Sequence, residues 1–174
     1  MITTIKTLDH AVGNSLNGSG FSLSPKIDQF LKWAPIVAAF FGDLRGEEPK
    51  KEFLNRLKLF AVSEGLVNGI VAPIKRIVHR RRPGSLTQFD SFPSGHTATS
   101  FLGAEMLRQA AKDKAPALAY AGYTIAIATA FIRVYKKKHW LSDVIAGAVL
   151  GIIAANVATY MANRKATHPI VLPV

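Results

Sequence analysis

Three short stretches between residues 75 and 143 hold the side chains that are best suited to chemistry. Residues 75–83 read KRIVHRRRP, residues 93–96 read PSGH, and residues 133–143 read RVYKKKHWLSD. Together they supply fixed cations, a carboxylate, a glycine at a predicted helix start and two histidines suited to catalysis, His96 and His139. This set is typical of a site that binds a phosphate group without a metal and attacks it with a histidine.

The third stretch contains a histidine and an aspartate four residues apart, His139 and Asp143, at the entry to the last predicted helix. That spacing places both side chains on one helix face. A carboxylate bonded to one ring nitrogen would fix the tautomer and leave the other nitrogen free to attack. A lone pair of this kind is usually a charge interaction at a helix start, but the two upstream stretches favour a catalytic interpretation.

The second stretch places His96 directly after Gly95 at a predicted helix start. A second histidine can protonate a leaving alkoxide. We expect the backbone N–H groups of Ser94, Gly95 and His96 to face an anion, as helix N-termini do, and the Ser94 hydroxyl to add one bond. The alternative is that Ser94 is an ordinary N-cap.

Three cations, Lys75, Arg82 and Arg133, are expected to bind the non-bridging phosphoryl oxygens. Arginine offers a planar fork and lysine a point charge, and fixed cations stabilise the charge of the transition state. We expect Arg80 and Arg81 to be solvated or to attract anionic head groups. The lysines at 136–138 are expected at the rim, where they attract substrate.

The three motifs, K-x6-R-P, P-S-G-H and R-x5-H-x3-D, resemble those of the type 2 phosphatidic acid phosphatase superfamily. That superfamily includes lipid phosphate phosphatases, bacterial acid phosphatases and vanadium haloperoxidases. One departure is visible, because the third motif of the family usually begins Ser-Arg, and here Ile132 precedes Arg133.

The resemblance implies a role for each matching residue. His139 would be the nucleophile that forms a phosphohistidine, oriented by Asp143, and His96 would act first as the acid and then as the base. The remaining motif positions (Lys75, Arg82, Ser94, Gly95 and Arg133) would bind phosphate. Neither a metal nor another cofactor is implied.

Composition limits the class of protein. The 174 residues suit a single domain, with a lead-in over 1–25, a helical catalytic core over 26–163 and a tail over 164–174. The chain has no cysteine, which excludes disulfides and thiolate metal sites. The net charge of +11 indicates an anionic partner. The sequence also has no H-E-x-x-H motif and no carboxylate cluster.

Apolar periodicity and turn signals predict about five helices in an all-α, integral membrane bundle. The last two segments carry no charge over lengths that could cross a bilayer. A stripe of small residues in the last segment (Gly147, Gly151 and Ala155) would let another helix approach closely. A soluble helical bundle is the alternative. The predicted segments are 25–42, 51–80, 95–111, 115–132 and 144–163.

These observations predict a membrane lipid phosphatase that hydrolyses a phosphomonoester or a pyrophosphate. The resemblance implies a bacterial inner-membrane protein with its active site facing the periplasm or outside, although the clustered cations favour the cytoplasmic face by the positive-inside rule. Glu64 and Glu105 are expected to make interhelical hydrogen bonds rather than to contact substrate.

Three alternatives stay open at this point. A vanadium-dependent haloperoxidase would use the same site for vanadate, and a soluble-type acid phosphatase would use it on soluble esters. A non-catalytic basic membrane protein would only bind anionic lipid. The expected partners are a lipid phosphate and the membrane; no nucleic-acid partner is expected, because the sequence lacks interleaved aromatic residues on which bases stack.

Overall fold

The computed structural model describes residues 2–15, 24, 26–41, 49–113 and 115–167, and all regular structure within them is helical. Seven helices follow one another along the chain. They are α1 (Ile2–Ser15), α2 (Ile27–Leu31), α3 (Ala34–Phe41), α4 (Pro49–Val78), α5 (Gly95–Ala111), α6 (Pro116–Tyr135) and α7 (Leu141–Thr167).

The count exceeds the predicted five for two local reasons. The amphipathic lead-in forms α1, and the segment predicted at 25–42 is divided into α2 and α3. Pro35 has no N–H to continue the hydrogen-bond ladder of α2, whereas the first turn of a new helix needs no such donor. Helices α6 and α7 also extend beyond their predicted ends toward each other, so that Arg133 lies in the last turn of α6 and Asp143 in the first turn of α7.

Helix α5 lies at the centre of the bundle and contacts α3, α4, α6 and α7. Its residues are buried on every side, which its many small side chains permit. Leu102 and Leu107 pack with Val67 of α4 and with Ala119 of α6 in one apolar core. Because α5 begins with the second motif, this packing fixes Gly95 and His96 relative to the ends of the surrounding helices.

The small residues of α7 permit its contact with α5, as the sequence predicts. A Cβ atom on Gly147 would lie 2.4 Å from the carbonyl oxygen of Ser94, and one on Gly151 would lie 2.1 Å from that of Ala98. Both distances are far below van der Waals contact. The two backbones therefore touch directly, and the third motif is held against the second.

Replacing Gly151 with alanine is expected to destabilise the bundle by roughly 1–3 kcal/mol, because backbone must move to admit the methyl group. Gly65 of α4 is the matched control, since no atom lies within 4 Å of its Cβ position. Gly65→Ala should be neutral or stabilising by up to about 1 kcal/mol. Thermal unfolding of both variants in detergent checks the prediction, and equal transition temperatures would contradict it.

Three helices, α4, α6 and α7, are long and apolar enough to cross a membrane, over Lys50–Val78, Pro116–Tyr135 and Leu141–Arg164. Their outward faces expose large apolar side chains that a bilayer would cover. Examples are Ile70 on α4, Ile127 and Phe131 on α6, and Ile145 and Ile153 on α7. The sequence predicted α6 and α7 as segments long enough to cross a bilayer, and the structure shows that α4 is also long enough.

The carboxylates of Glu64 and Glu105 lie between helices, as predicted. Thr99 of α5 donates to Glu64 Oε1 of α4 at 3.0 Å. The hydroxyl of Tyr123 on α6 donates to Glu105 Oε2 at 2.5 Å, and Arg108 donates to the same carboxylate. Both groups therefore have structural partners outside the three motifs.

Candidate active site

The three motifs meet around a cavity of about 430 Å³. It lies where the C-terminal ends of α4 and α6, the N-terminal end of α5 and the segments between helices come together. Most of the predicted site residues line it, together with side chains that the motifs did not mark. The lining residues are Asp28, Gln29, Lys75, Arg82, Asp90, Gly95, His96, Arg133, Lys136, Lys138 and His139.

The imidazole of His139 is held in one tautomer. Its Nδ1 lies 2.7 Å from the carbonyl oxygen of Ser91, which can only accept, so Nδ1 carries the proton. Its Nε2 lies 3.2 Å from Nη2 of Arg133, which can only donate, so Nε2 presents a lone pair. Burial, together with the charges of Arg133 and Lys75, lowers the pKa of His139. The ring is therefore a neutral base near neutral pH, with Nε2 on the cavity side.

The carboxylate of Asp143 supports this arrangement indirectly. Its Oδ2 lies 3.7 Å from Nδ1 of His139, beyond a hydrogen bond, so the direct bond predicted from the spacing is replaced by the one to the Ser91 carbonyl. Asp143 instead accepts hydrogen bonds from the Ser91 hydroxyl, from the Trp140 N–H at 2.8 Å and from Arg80 at 2.6 Å. The carboxylate thus fixes the segment that holds the ring.

His96 lines the cavity from the first turn of α5. Its Nε2 is buried and has no hydrogen-bond partner among the described residues. Burial, with the nearby charges of Arg133 and Lys32, lowers the pKa of His96 to about 3. A cavity residue with an unpartnered ring nitrogen can form a hydrogen bond with a polar group of a bound ligand.

Ser94 serves as the N-cap of α5, so the N-cap alternative describes its side chain. The hydroxyl pairs with Thr97 Oγ1 at 3.0 Å, and Ser94 is fully buried outside the cavity lining. Its N–H donates to the carbonyl of Asp143 at 3.0 Å. The N–H and the hydroxyl of Ser94 thus have partners within the protein, whereas Gly95 lines the cavity, and the predicted contact of Ser94 with phosphate stays a prediction.

Arg133 and Lys136 share a carboxylate that the motifs did not reveal. Arg133 donates through Nη1 to Asp28 Oδ2, and Lys136 donates to Asp28 Oδ1 at 2.7 Å. Burial raises the pKa of Asp28, but the hydrogen bonds from Lys136 and Arg133 outweigh it and lower the pKa to about 2. The Nε atom of Arg133 is buried without a partner in the described part of the chain.

A second carboxylate holds the cations of the first motif. Arg82 forms a two-point contact with Asp90, at 2.8 Å for each of the two bonds. Lys75 donates to the backbone carbonyl of the same residue. Asp90 lies in the segment between α4 and α5, so that segment orients both cations toward the cavity.

Two basic residues behave differently from the sequence expectation. Arg80, expected to be solvated, binds the buried carboxylates of Asp143 and Asp9, each at 2.6 Å. Lys136, expected at the rim, is bound to Asp28. Arg81 is exposed, as expected. The motifs did not indicate a role for Asp9, Asp28 or Asp90, because the role of each depends on an arginine elsewhere in the chain. These partners are Arg80, Arg133 and Arg82.

The arrangement has the parts of a phosphoryl-transfer site. A neutral imidazole nitrogen, a second histidine and several cations converge on one cavity, and two buried nitrogen atoms of the described residues, Arg133 Nε and His96 Nε2, have no hydrogen-bond partner. No group of three or more His, Asp or Glu side chains in the described ranges is placed to hold a metal ion. Charge stabilisation in such a site would come from the cations.

Comparisons with known proteins agree with the motifs. Residues 56–166 match the model of the PAP2 superfamily. The lipid A 1-phosphatase of Porphyromonas gingivalis is 33% identical over 149 residues, which cover 84% of this chain and 33% of that protein. The chain therefore spans about a third of the length of this curated relative.

Two solved structures share the fold. The crystal structure of LpxE from Aquifex aeolicus has a TM-score of 0.61 at 22% identity, covering 90% of this chain and 95% of that one. A transmembrane PAP2-type phosphatidylglycerolphosphate phosphatase from Bacillus subtilis has a TM-score of 0.64 at 17% identity, covering 92% and 87%. With the three apolar helices, these likenesses confirm the predicted all-α integral membrane bundle.

Proposed function

Because the chain belongs to the PAP2 superfamily, we propose that it is a metal-independent lipid phosphatase that works through a phosphohistidine. The observation that carries the proposal is the fixed tautomer of His139. Its Nδ1–H donates to the Ser91 carbonyl, its Nε2 accepts from Arg133, and the residue lines a cavity rich in cations. The unpartnered Nε–H of Arg133, a residue that lines the same cavity, supports an anionic ligand, and the unpartnered Nε2 of His96 supports a ligand that exchanges a proton.

In the first step, Nε2 of His139 attacks phosphorus and the bond from phosphorus to the leaving oxygen breaks. Arg133, Arg82 and Lys75 hold the non-bridging oxygens, whose charge must be stabilised through the transition state. The negative charge of the bound phosphate favours the protonated form of His96. The protonated ring gives its proton to the leaving oxygen, so that the lipid departs as a neutral alcohol. The positive charge that develops on the His139 ring is stabilised by the Ser91 carbonyl and by the nearby carboxylate of Asp143.

In the second step, water attacks the phosphohistidine and the bond between phosphorus and Nε2 breaks. His96, now neutral, accepts the proton of the attacking water. Inorganic phosphate leaves, and the lone pair of His139 is restored. The roles of His96 in the two steps are related by microscopic reversibility, and one ring therefore suffices for both.

A lipid substrate fits the position of the cavity at the ends of membrane-crossing helices. The head group would enter the polar cavity while the acyl chains stay beside the apolar faces of α6 and α7. The names of the relatives indicate lipid A 1-phosphate and phosphatidylglycerol phosphate as the first candidates. Phosphatidic acid and undecaprenyl pyrophosphate also carry a terminal phosphate that the same site would accept. We place the protein in the bacterial inner membrane with this site toward the periplasm.

Phosphate release from a panel of these four lipids in detergent tests the proposal. We expect turnover of at least one lipid, with activity unchanged in excess EDTA because the cavity cations replace a metal. Vanadate should inhibit competitively, since it adopts the five-coordinate geometry of phosphoryl transfer.

Two results would contradict the proposal. If EDTA abolishes turnover and magnesium restores it, the metal-free mechanism is wrong. Vanadate-dependent oxidation of halide, without phosphate release, would assign the site to haloperoxidase chemistry.

A further inference from the structure

The carboxylate of Asp143 is connected to the first helix of the chain through one arginine. Arg80 donates through Nη1 to Asp143 Oδ1 and through Nη2 to Asp9 Oδ2, each at 2.6 Å. Asp9 belongs to α1 and is only 3% exposed, and Asp143 is completely buried. A guanidinium shared between two buried carboxylates is fixed in both position and plane.

Asp9 also binds the beginning of α7 directly. Its Oδ1 accepts the N–H of Ser142 at 2.9 Å, and its Oδ2 accepts the Ser142 hydroxyl at 2.7 Å. The Ser142 hydroxyl lies 2.7 Å from Nη1 of Arg80 as well, which closes a ring of hydrogen bonds. Asp9 therefore supplies the side-chain acceptor that a helix start needs, although it comes from a helix far away in the sequence.

Aromatic contacts join the same elements. The ring of His10 on α1 meets the ring of Trp140 edge to face at 4.8 Å. The guanidinium of Arg80 lies 5.5 Å from the centre of the Trp140 ring. Helix α1 thus rests on the residues that directly follow His139.

Neither Asp9 nor Arg80 lines the cavity. Any effect of these residues on the reaction is therefore indirect, and one path runs through Asp143, which binds the Ser91 hydroxyl and the Trp140 N–H. Ser91 also provides the carbonyl that holds Nδ1 of His139. The line of contacts from α1 to the reacting ring is continuous.

We propose that Asp9 and Arg80 are positioning residues for phosphoryl transfer, and that α1 affects the reaction through Asp9. The inference rests on the proposed function. Arg80 balances the charge of Asp143 and fixes its plane, and Asp9 fixes Arg80. Together they hold the Ser91–His139 hydrogen bond in the geometry that points Nε2 at phosphorus.

The test compares Asp9→Asn, Arg80→Gln and the double variant with the wild type, using p-nitrophenyl phosphate and the preferred lipid. Each single change should lower kcat by about 10- to 100-fold, because a small misplacement of the nucleophile has effects of that size. KM should change little, since neither residue reaches the cavity. The double variant should lose no more than the worse single variant, because both act through one carboxylate. Arg80→Lys should recover part of the loss, as lysine keeps the charge without the fork.

Two controls separate positioning from general stability. Lys6→Gln changes an exposed residue of α1 and should leave kcat unaltered. Glu105→Gln removes a buried carboxylate that lies about 13 Å along α5 from His96, and it should lower the unfolding temperature without lowering kcat per folded enzyme. Unchanged kcat in Asp9→Asn and Arg80→Gln, or an equal loss in Glu105→Gln, would overturn the inference. A rise in KM at constant kcat would also overturn it, because that result assigns the residues to binding.

A second readout works without turnover. The ¹⁵N spectrum of labelled histidines, with His139 assigned from His139→Ala, reports the tautomer of its ring. We expect the Nδ1–H form in the wild type and a mixture of tautomers in Arg80→Gln. If the wild type releases no phosphate from any substrate, the proposed function is wrong. The spectrum then still tests whether Arg80 fixes the tautomer of His139. An identical His139 signal in the wild type and in Arg80→Gln would then overturn the inference.

Discussion

Replacing His139 with alanine is expected to reduce turnover on the order of 10⁴-fold or more, to near background. The change removes the nitrogen that the Ser91 carbonyl and Arg133 hold in its reactive form. Lipid binding should survive, because Lys75, Arg82 and Arg133 remain. Rapid quenching with ³²P-labelled substrate measures the intermediate directly. An acid-labile, base-stable phosphoprotein should form in the wild type and be absent from the variant.

Arg81→Ala is the matched control for this experiment. Arg81 belongs to the same basic motif, but it is exposed and does not line the cavity. Its variant should accumulate labelled protein at the wild-type rate. Label that still accumulates in His139→Ala would assign the nucleophile to another residue and would falsify the mechanism.

Replacing His96 with alanine is expected to reduce kcat on the order of 10²–10⁴-fold for a lipid substrate, because the leaving alkoxide then departs without a proton. The loss should shrink for p-nitrophenyl phosphate, whose leaving group is already acidic. Steady-state kinetics with the two substrates measure the difference. An equal loss for both leaving groups would show that His96 does not protonate the leaving oxygen.

The pH dependence provides a second test of the same residue. Burial and the charges of Arg133 and Lys32 lower the pKa of His96 to about 3, so that the ring is neutral near pH 7. A bound phosphate adds negative charge beside the ring and raises its pKa, since an opposite charge favours the protonated form. The kcat of the wild type should therefore fall as pH rises through the pKa of His96 in the complex. His96→Ala should lack this alkaline decline.

Much of the site could be predicted because its chemistry is encoded locally. The spacing of His139 and Asp143, the glycine before His96 and the long uncharged segments each depend on nearby residues. The cavity lining includes the predicted Lys75 and Arg82. Small residues also predicted a close contact of α7 with another helix, because helix periodicity alone puts them on one face, and the structure shows that this helix is α5.

The remaining parts depend on distant partners and left no local pattern. Asp28 has the position of an ordinary first-turn acid in α2, and only the fold brings it to Arg133. Arg80 resembles its neighbour Arg81 in sequence, yet only Arg80 meets Asp9 and Asp143. Ser94 differs, because its partner Thr97 is only three residues away. The sequence left open whether the Ser94 hydroxyl caps the helix or binds phosphate, and the structure shows it at the N-cap.

Arg133 and Lys136 bind the carboxylate of Asp28. In the proposed reaction these two cations would exchange that anion for the phosphate group of the substrate. The carboxylate is tethered to the chain, so its local concentration at the two cations does not depend on the supply of substrate. In the proposed reaction, an incoming phosphate ester would compete with this carboxylate for the two cations, and the carboxylate would regain them when inorganic phosphate departs. The two cations would thus stay paired with an anion throughout the reaction. An unpaired charge is most unfavourable in a buried position. The same competition weakens the hold on the product and favours its release.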